Sequence, residues 1–120
     1  MRRYDEDLEG PLTPLEYFEA VIKRQMGFGT KMVRCPVSQQ LFYPSQMVVH
    51  HPYEKWMLRR DRLFEMVWDP RNGIAVSPIV HANHHRGFKR IPGYVLDPLV
   101  FEFAAELGPA AVELVRKNHP

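Results

Sequence analysis

Histidines dominate the chemistry that this sequence could perform. Five of its six histidines lie between residues 50 and 85: His50 and His51 are adjacent, and His81, His84 and His85 follow as a second group. Imidazole has an ordinary pKa close to neutrality, and its neutral form is a common metal ligand. The chain therefore contains enough closely spaced imidazoles for both a metal site and a general base.

The second group is expected on a helix. Ser77-Pro78 is a typical helix start, because serine is a good cap and proline suits the first helical position. Residues four apart share one face of a helix, so we expect His81 and His85 to hold one ion between them. His84 lies three residues after His81 and is an alternative last ligand, which spacing alone does not decide.

The adjacent pair is expected at the end of a strand, directly after Met47-Val48-Val49. Neighbouring strand residues point to opposite sides. One of His50 and His51 should therefore face the helix histidines, and the other should remain a free imidazole. Three imidazoles with open coordination positions, together with a spare base, suit a hydrolytic metal site.

Asn72 precedes His81 by nine residues, in a turn that the composition of residues 69–73 predicts. Its amide can both donate and accept hydrogen bonds. We expect it to tie this turn to the loop that carries His51. A plain turn residue is the competing interpretation, because Asn-Gly is a common turn pair.

Other elements follow from local patterns. Helices are expected from Thr13-Pro14 to about Gly27, within 53–67 (at least in its second half), from Asp97-Pro98, and from Pro109. Short strands are expected near 32–33, 41–43, 47–49 and 74–76. Residues 1–11 are expected to form a loose arm, Trp56 and Trp68 to be core or lid residues, and His119 to lie in solvent.

Composition indicates a soluble protein. With 120 residues, 45% hydrophobic and 25% charged, the chain is long enough for one domain with its own core. No apolar run is long enough for a membrane span, and the first residues do not resemble a signal peptide. The single cysteine, Cys35, cannot form an internal disulfide, so we expect a cytoplasmic protein.

The charge is unevenly distributed. The formal net charge is only +2, but residues 59–90 contain seven basic and three acidic side chains. A basic region beside the histidines suits a polyanionic partner, although a solvated charged face is an equally simple interpretation.

Taken together, these residues resemble a known family. The order His50-His51, Asn72, His81, His85 resembles the HNH endonucleases, in which a ββα-metal fold cleaves nucleic-acid phosphodiesters. The stretch from residue 72 through His85-Arg86-Gly87 is similar to the bacteriocin DNase form of the motif. WDPRNGIA and EFAAELGPAAVELV make residues 35–118 look like small HNH proteins of phages and prophages.

The resemblance implies an α+β fold in which residues 1–120 form one HNH domain. The ββα-metal core would span 32–87, and C-terminal helices would span 97–118. The implied function is a metal-dependent endonuclease that hydrolyses DNA phosphodiester bonds. A phage setting implies a role in DNA processing or packaging beside the terminase.

The resemblance also implies roles for individual residues. His51 would be the general base, and Asn72 would orient its loop. The metal ligands would be His50, His81 and His85, with His84 as the alternative. One divalent ion (Mg²⁺, Mn²⁺, Zn²⁺ or Ni²⁺) would stabilise the leaving 3′ oxygen, and Arg86 and Arg71 would contact DNA.

One departure from the family pattern concerns a second metal. Many phage relatives carry two Cys-x-x-Cys pairs for a structural zinc, whereas this chain has Cys35 and Ser38, then Ser77 and Val80. We therefore expect no structural zinc, a buried Cys35 thiol and one bound ion per chain. The alternative function is a non-catalytic, metal-stabilised module that binds DNA or another partner.

Overall fold

The computed structural model describes residues 9–27 and 29–120, which form an α+β fold. The helices of this part are α1 (Pro14–Gln25), α2 (Lys55–Arg60), α3 (Pro78–His85), α4 (Pro98–Leu107) and α5 (Pro109–Asn118). The strands are β1 (Val33–Arg34), β2 (Leu41–Phe42), β3 (Val48–His50) and β4 (Ile74–Val76). The α+β class and the expected C-terminal helices are confirmed.

Three of the helices begin at the predicted caps. The Thr13 side chain accepts from the Glu16 backbone N–H, and the Glu16 side chain accepts in return from the Thr13 backbone N–H, which completes a capping box. The Ser77 hydroxyl accepts from the Val80 N–H at the start of α3. Asp97 caps α4 in the same way. These local signals fix where α3 starts and hence which face carries its histidines.

The helix predicted within 53–67 is placed differently. It occupies the first half of that stretch as α2, and the second half contains only a 3₁₀ turn over Phe64–Met66. The prediction that the second half is helical was therefore wrong. Arg62 has a φ of 61°, and the Leu63 N–H donates to the Leu58 carbonyl, so a left-handed cap ends α2.

Two small antiparallel sheets make up the β structure. β1 pairs with β2, and β3 pairs with β4 with Val48 opposite Val76 and His50 opposite Ile74. All three residues of β4 are buried, since α1 packs against this strand, and α3 packs against β3. The β3–β4 pair and the helix that follows it therefore form one unit.

The core packs this unit against α1 and against the C-terminal helices α4 and α5. Tyr17 and Val21 come from α1, Val76 from β4, Phe103 from α4 and Val115 from α5, and each is at most 2% exposed. Cys35 is buried in the same cluster, as predicted. No helix within residues 9–27 and 29–120 combines the length and apolarity that crossing a membrane requires.

The predicted loose arm is only partly described. Residues 1–8 lie outside the described ranges, but Glu9 is just 8% exposed. Its carboxylate accepts hydrogen bonds from the Arg59 guanidinium at 2.8 and 3.0 Å and from Trp68 Nε1–H at 3.2 Å. Gly10 packs so closely that a Cβ there would lie 2.7 Å from the Glu65 carbonyl oxygen. The expectation of a loose segment was therefore wrong for these two residues, because an ion pair holds Glu9 and close packing against Glu65 holds Gly10.

Candidate metal centre and adjoining cleft

His50, His81 and His85 come together at the end of β3. One ring nitrogen from each of the three lies within 4.8 Å of the others. On α3, His81 Nε2 and His85 Nε2 are 2.9 Å apart, as expected for residues one helical turn apart. The β3–β4 pairing and the Ser77 cap together bring this face of α3 over His50. The three histidines can therefore bind one metal ion.

The surroundings of His50 fit a ligand. The ring is 2% exposed, and its Nδ1 has no hydrogen-bond partner among the described residues. Burial lowers the pKa of His50 strongly, and the neighbouring histidines, above all His84 and His119, lower it further. A neutral imidazole with an orphaned nitrogen is a competent metal donor, and all-imidazole sets suit ions such as Zn²⁺ and Ni²⁺.

His51 faces different neighbours from His50. Its ring stacks on Tyr17, with centroids 4.8 Å apart and planes at 17°, and meets Trp68 edge-on at 5.7 Å. Burial lowers its pKa to about 3, with a smaller contribution from Lys55, while hydrogen bonding to the Val67 backbone acts in the opposite direction. Its Nε2 has no partner in the described part of the chain. The separation predicted for the two adjacent histidines is present.

Asn72 is more than a turn residue. It is fully buried, and its side-chain Oδ1 accepts from the Tyr53 N–H at 3.0 Å while Nδ2 donates to the Tyr53 carbonyl at 2.8 Å. The Tyr17 hydroxyl donates to the Asn72 backbone carbonyl at 2.6 Å. The predicted tie between this turn and the loop after His51 is therefore present, and Tyr17 links the two a second time.

A second group of histidines adjoins the first. His50, His84 and His119 also place ring nitrogens within 4.8 Å of one another, and all three are buried. His119 is only 3% exposed, so its prediction as a solvent residue was wrong. It continues the buried stripe of Ala111 and Val115 at four-residue spacing, which was the sequence signal that it faces inward.

Hydrogen bonding distinguishes His84 from His85 as the last ligand. The Ile91 N–H donates to His84 Nδ1 at 2.9 Å, so this nitrogen uses its lone pair on the backbone. Neutral His84 then carries its proton on Nε2, which leaves no lone pair for a metal. Burial, followed by the effect of His119, lowers the pKa of His84 to about 4 and favours that neutral form. These contacts favour His85 as the third ligand.

The two candidate phosphate-binding arginines lie apart from the metal centre. Arg71 pairs with Asp69 and with Glu106 on α4, and these hydrogen bonds raise the pKa of Arg71. Arg86 is exposed at the end of α3, outside the lining of the cleft described next. The structure does not bring either side chain to the histidines.

A cleft of about 280 Å³ opens beside the candidate ligands. Its lining contains the histidines His50, His51, His81 and His85, together with Glu54, Lys55, Trp56 and Arg59. Trp56 is 55% exposed and lines the rim, which excludes a core position. Trp68 is half-buried behind His51, with the Lys55 ammonium 4.9 Å from its ring centroid. Both kinds of imidazole, the clustered candidate ligands and the separate His51, therefore line the same cleft.

No family model, no curated protein and no solved structure matches this chain.

Proposed function

We propose that the protein is a metal-dependent endonuclease with a ββα-metal core, acting on DNA phosphodiester bonds. One observation carries the proposal: His50, His81 and His85 converge beside a cleft that a fourth and separate imidazole, His51, also lines. A structural metal site needs the first three imidazoles but has no use for the fourth.

The local architecture supports this proposal. β3 and β4 form an antiparallel pair, and α3 follows β4 without an intervening loop beyond its cap. The candidate ligands come from the end of β3 and from one face of α3. Asn72, just before β4, holds the loop after His51 through both amide atoms. This arrangement of two strands and a helix is the one that the resemblance to HNH endonucleases implies.

His51 supplies proton transfer in the proposed reaction. A water molecule in the cleft gives its proton to the His51 imidazole as its oxygen attacks phosphorus. The bond from phosphorus to the 3′ oxygen breaks, and this oxygen leaves with the bonding electron pair and takes up a proton from solvent. Tyr17 stacks on the ring and Trp68 meets it edge-on, which restricts its orientation. A divalent ion bound by His50, His81 and His85 would supply positive charge for the scissile phosphate and the leaving oxygen.

The cleft also suits a polyanion. Lys55 and Arg59 line the cleft beside the histidines, although Glu9 neutralises Arg59 and Glu54 also lines the cleft. Such contacts recognise the phosphate backbone and carry no sequence information, so cleavage should show little sequence preference. Binding should also weaken as the salt concentration rises.

A plasmid assay with paired variants tests the proposal. Supercoiled plasmid should be nicked by the purified protein with Mg²⁺, Mn²⁺, Zn²⁺ or Ni²⁺, and chelator should abolish nicking. His51→Ala should keep its Zn²⁺ affinity in calorimetry while cleavage falls on the order of 10²- to 10⁴-fold. His50→Ala and His85→Ala should weaken Zn²⁺ binding instead.

Each variant is the control for the others, since it tests one half of the site. Cleavage that survives removal of metal would refute the mechanism, as would wild-type cleavage by His51→Ala. Zn²⁺ binding without cleavage under any of these ions would favour the non-catalytic binding module.

A further inference from the structure

The His50–His119 contact determines which nitrogen of His50 is available to a metal. His50 Nε2 and His119 Nε2 are 2.9 Å apart in the buried second histidine group. Two imidazole nitrogens at this distance share one proton, so one must donate and the other accept. The direction of this hydrogen bond depends on what the other nitrogen of His119 does.

His119 Nδ1 faces a group that can only accept. It lies 2.7 Å from the Val115 carbonyl oxygen, one turn back in α5, so Nδ1 carries the proton. Neutral His119 then has its lone pair on Nε2 and accepts from His50. His50 consequently carries its proton on Nε2 and keeps its lone pair on Nδ1, the nitrogen that has no partner among the described residues.

We propose that His119 is a positioning residue, which sets His50 in the tautomer whose Nδ1 binds the metal ion. This inference rests on the metal site of the proposed function. Metal-binding histidines commonly donate their second ring N–H to an acceptor that fixes the tautomer and the ring orientation. Here the acceptor is His119, the residue that follows α5, and its own orientation is set by the Val115 carbonyl.

The neighbouring His84 excludes the simplest alternative, a second metal ion within His50, His84 and His119. Its Nδ1 lone pair accepts from the Ile91 N–H, which leaves the proton of neutral His84 on Nε2. Coordination through that atom would require loss of the last ring proton. Within the second group, the His50–His119 hydrogen bond therefore supports the first group, and no second ion is needed to explain it.

Nitrogen NMR on the metal-free protein tests the tautomer directly. Long-range ¹H–¹⁵N spectra distinguish a protonated ring nitrogen from one with a lone pair. We expect the proton of His50 on Nε2 and that of His119 on Nδ1. A proton on His50 Nδ1 in the wild-type protein would overturn the inference, and this reading needs neither metal nor DNA.

Paired substitutions then measure the effect on metal binding. His119→Gln keeps an acceptor oxygen for His50, whereas His119→Phe keeps an aromatic ring of similar size without an acceptor. Calorimetric titration with Zn²⁺ alone should give near-wild-type affinity for His119→Gln and a loss on the order of 10- to 100-fold for His119→Phe. Equal affinity of the two variants would refute the positioning role.

The outcomes separate this inference from the proposed function. If the wild-type protein binds Zn²⁺ with the expected tautomer but does not cut DNA, the positioning role stands and the nuclease proposal fails. If it binds no Zn²⁺, both fail. The tautomer of His50 should become mixed or reversed in the His119→Phe spectrum but should keep its proton on Nε2 in the His119→Gln spectrum, because only the second variant retains an acceptor.

Discussion

Replacing Asn72 by alanine should destabilise the protein more than any other single amide truncation near the site. The change removes the acceptor of the Tyr53 N–H and the donor to the Tyr53 carbonyl, and Tyr53 is only 8% exposed. A buried backbone group left without a partner costs about 1–3 kcal/mol. Two such groups predict a loss of about 2–6 kcal/mol in the free energy of unfolding.

Urea denaturation of the metal-free protein at neutral pH measures this loss. Asn83→Ala is the matched control, because Asn83 is half-buried on α3 and its side chain makes no hydrogen bond within the described ranges. The control should change the free energy of unfolding by less than about 0.5 kcal/mol. A loss for Asn72→Ala below about 1 kcal/mol would contradict the pairing with Tyr53 as its main contribution.

Asn72→Asp separates the two hydrogen bonds. The aspartate retains an oxygen for the Tyr53 N–H but places a second acceptor against the Tyr53 carbonyl. This variant should therefore also be destabilised, because a donor is replaced by a repulsive oxygen. Wild-type stability of Asn72→Asp would show that the donor half of the amide contributes nothing.

Three further predictions concern the surroundings of the site. Tyr17→Phe should lose about 1–2 kcal/mol in urea denaturation, because the Asn72 carbonyl loses its 2.6 Å hydrogen bond; an unchanged midpoint would contradict this. Gly93→Ala should lower the melting temperature and weaken Zn²⁺ binding, because the new Cβ would lie 2.7 Å from the His119 carbonyl oxygen; a wild-type melting curve would show that the turn adjusts freely. Acid should destabilise the metal-free protein, because burial lowers the pKa of His84 from its ordinary value of 6.5 to about 4. The contribution of neutral His84 to the free energy of unfolding is complete above pH 6.5 and is lost as the pH falls toward 4. Urea denaturation at pH 5 should therefore show a loss of about 2 kcal/mol from His84 alone.

The parts of this structure that were predictable from sequence depend on neighbouring residues. Three helix starts were predictable because their N-cap residues act within one turn, namely Thr13, Ser77 and Asp97. The alternation of His50 and His51 follows from strand geometry, and the alignment of His81 with its ligand partner follows from helical spacing. Such features require no knowledge of which distant segments meet.

The parts that were missed depend on contacts distant in sequence. His119 becomes a partner of His50 only because α5 packs back against the site, across 69 positions of the chain. Glu9 is buried only because Arg59 and Trp68 meet it from 50 and 59 positions away. The end of α2 was missed for a local reason. The left-handed conformation that ends it is adopted by Arg62, whereas the residues that usually indicate this conformation in a sequence are glycine and asparagine.

The Glu9–Arg59 pair places folding and polyanion binding in competition for one guanidinium. Arg59, which lines the cleft, lowers the pKa of Glu9 by hydrogen bonding, so the pair remains charged at neutral pH. A phosphate could bind both donors of Arg59 only by displacing the Glu9 carboxylate. Glu9 would then also lose its hydrogen bond from Trp68 Nε1–H. A chain shortened to begin at Pro11 should consequently bind a polyanion more tightly while unfolding more easily. Substitutions at Glu9 can therefore raise the affinity for a polyanion and lower the stability of the fold without changing any histidine.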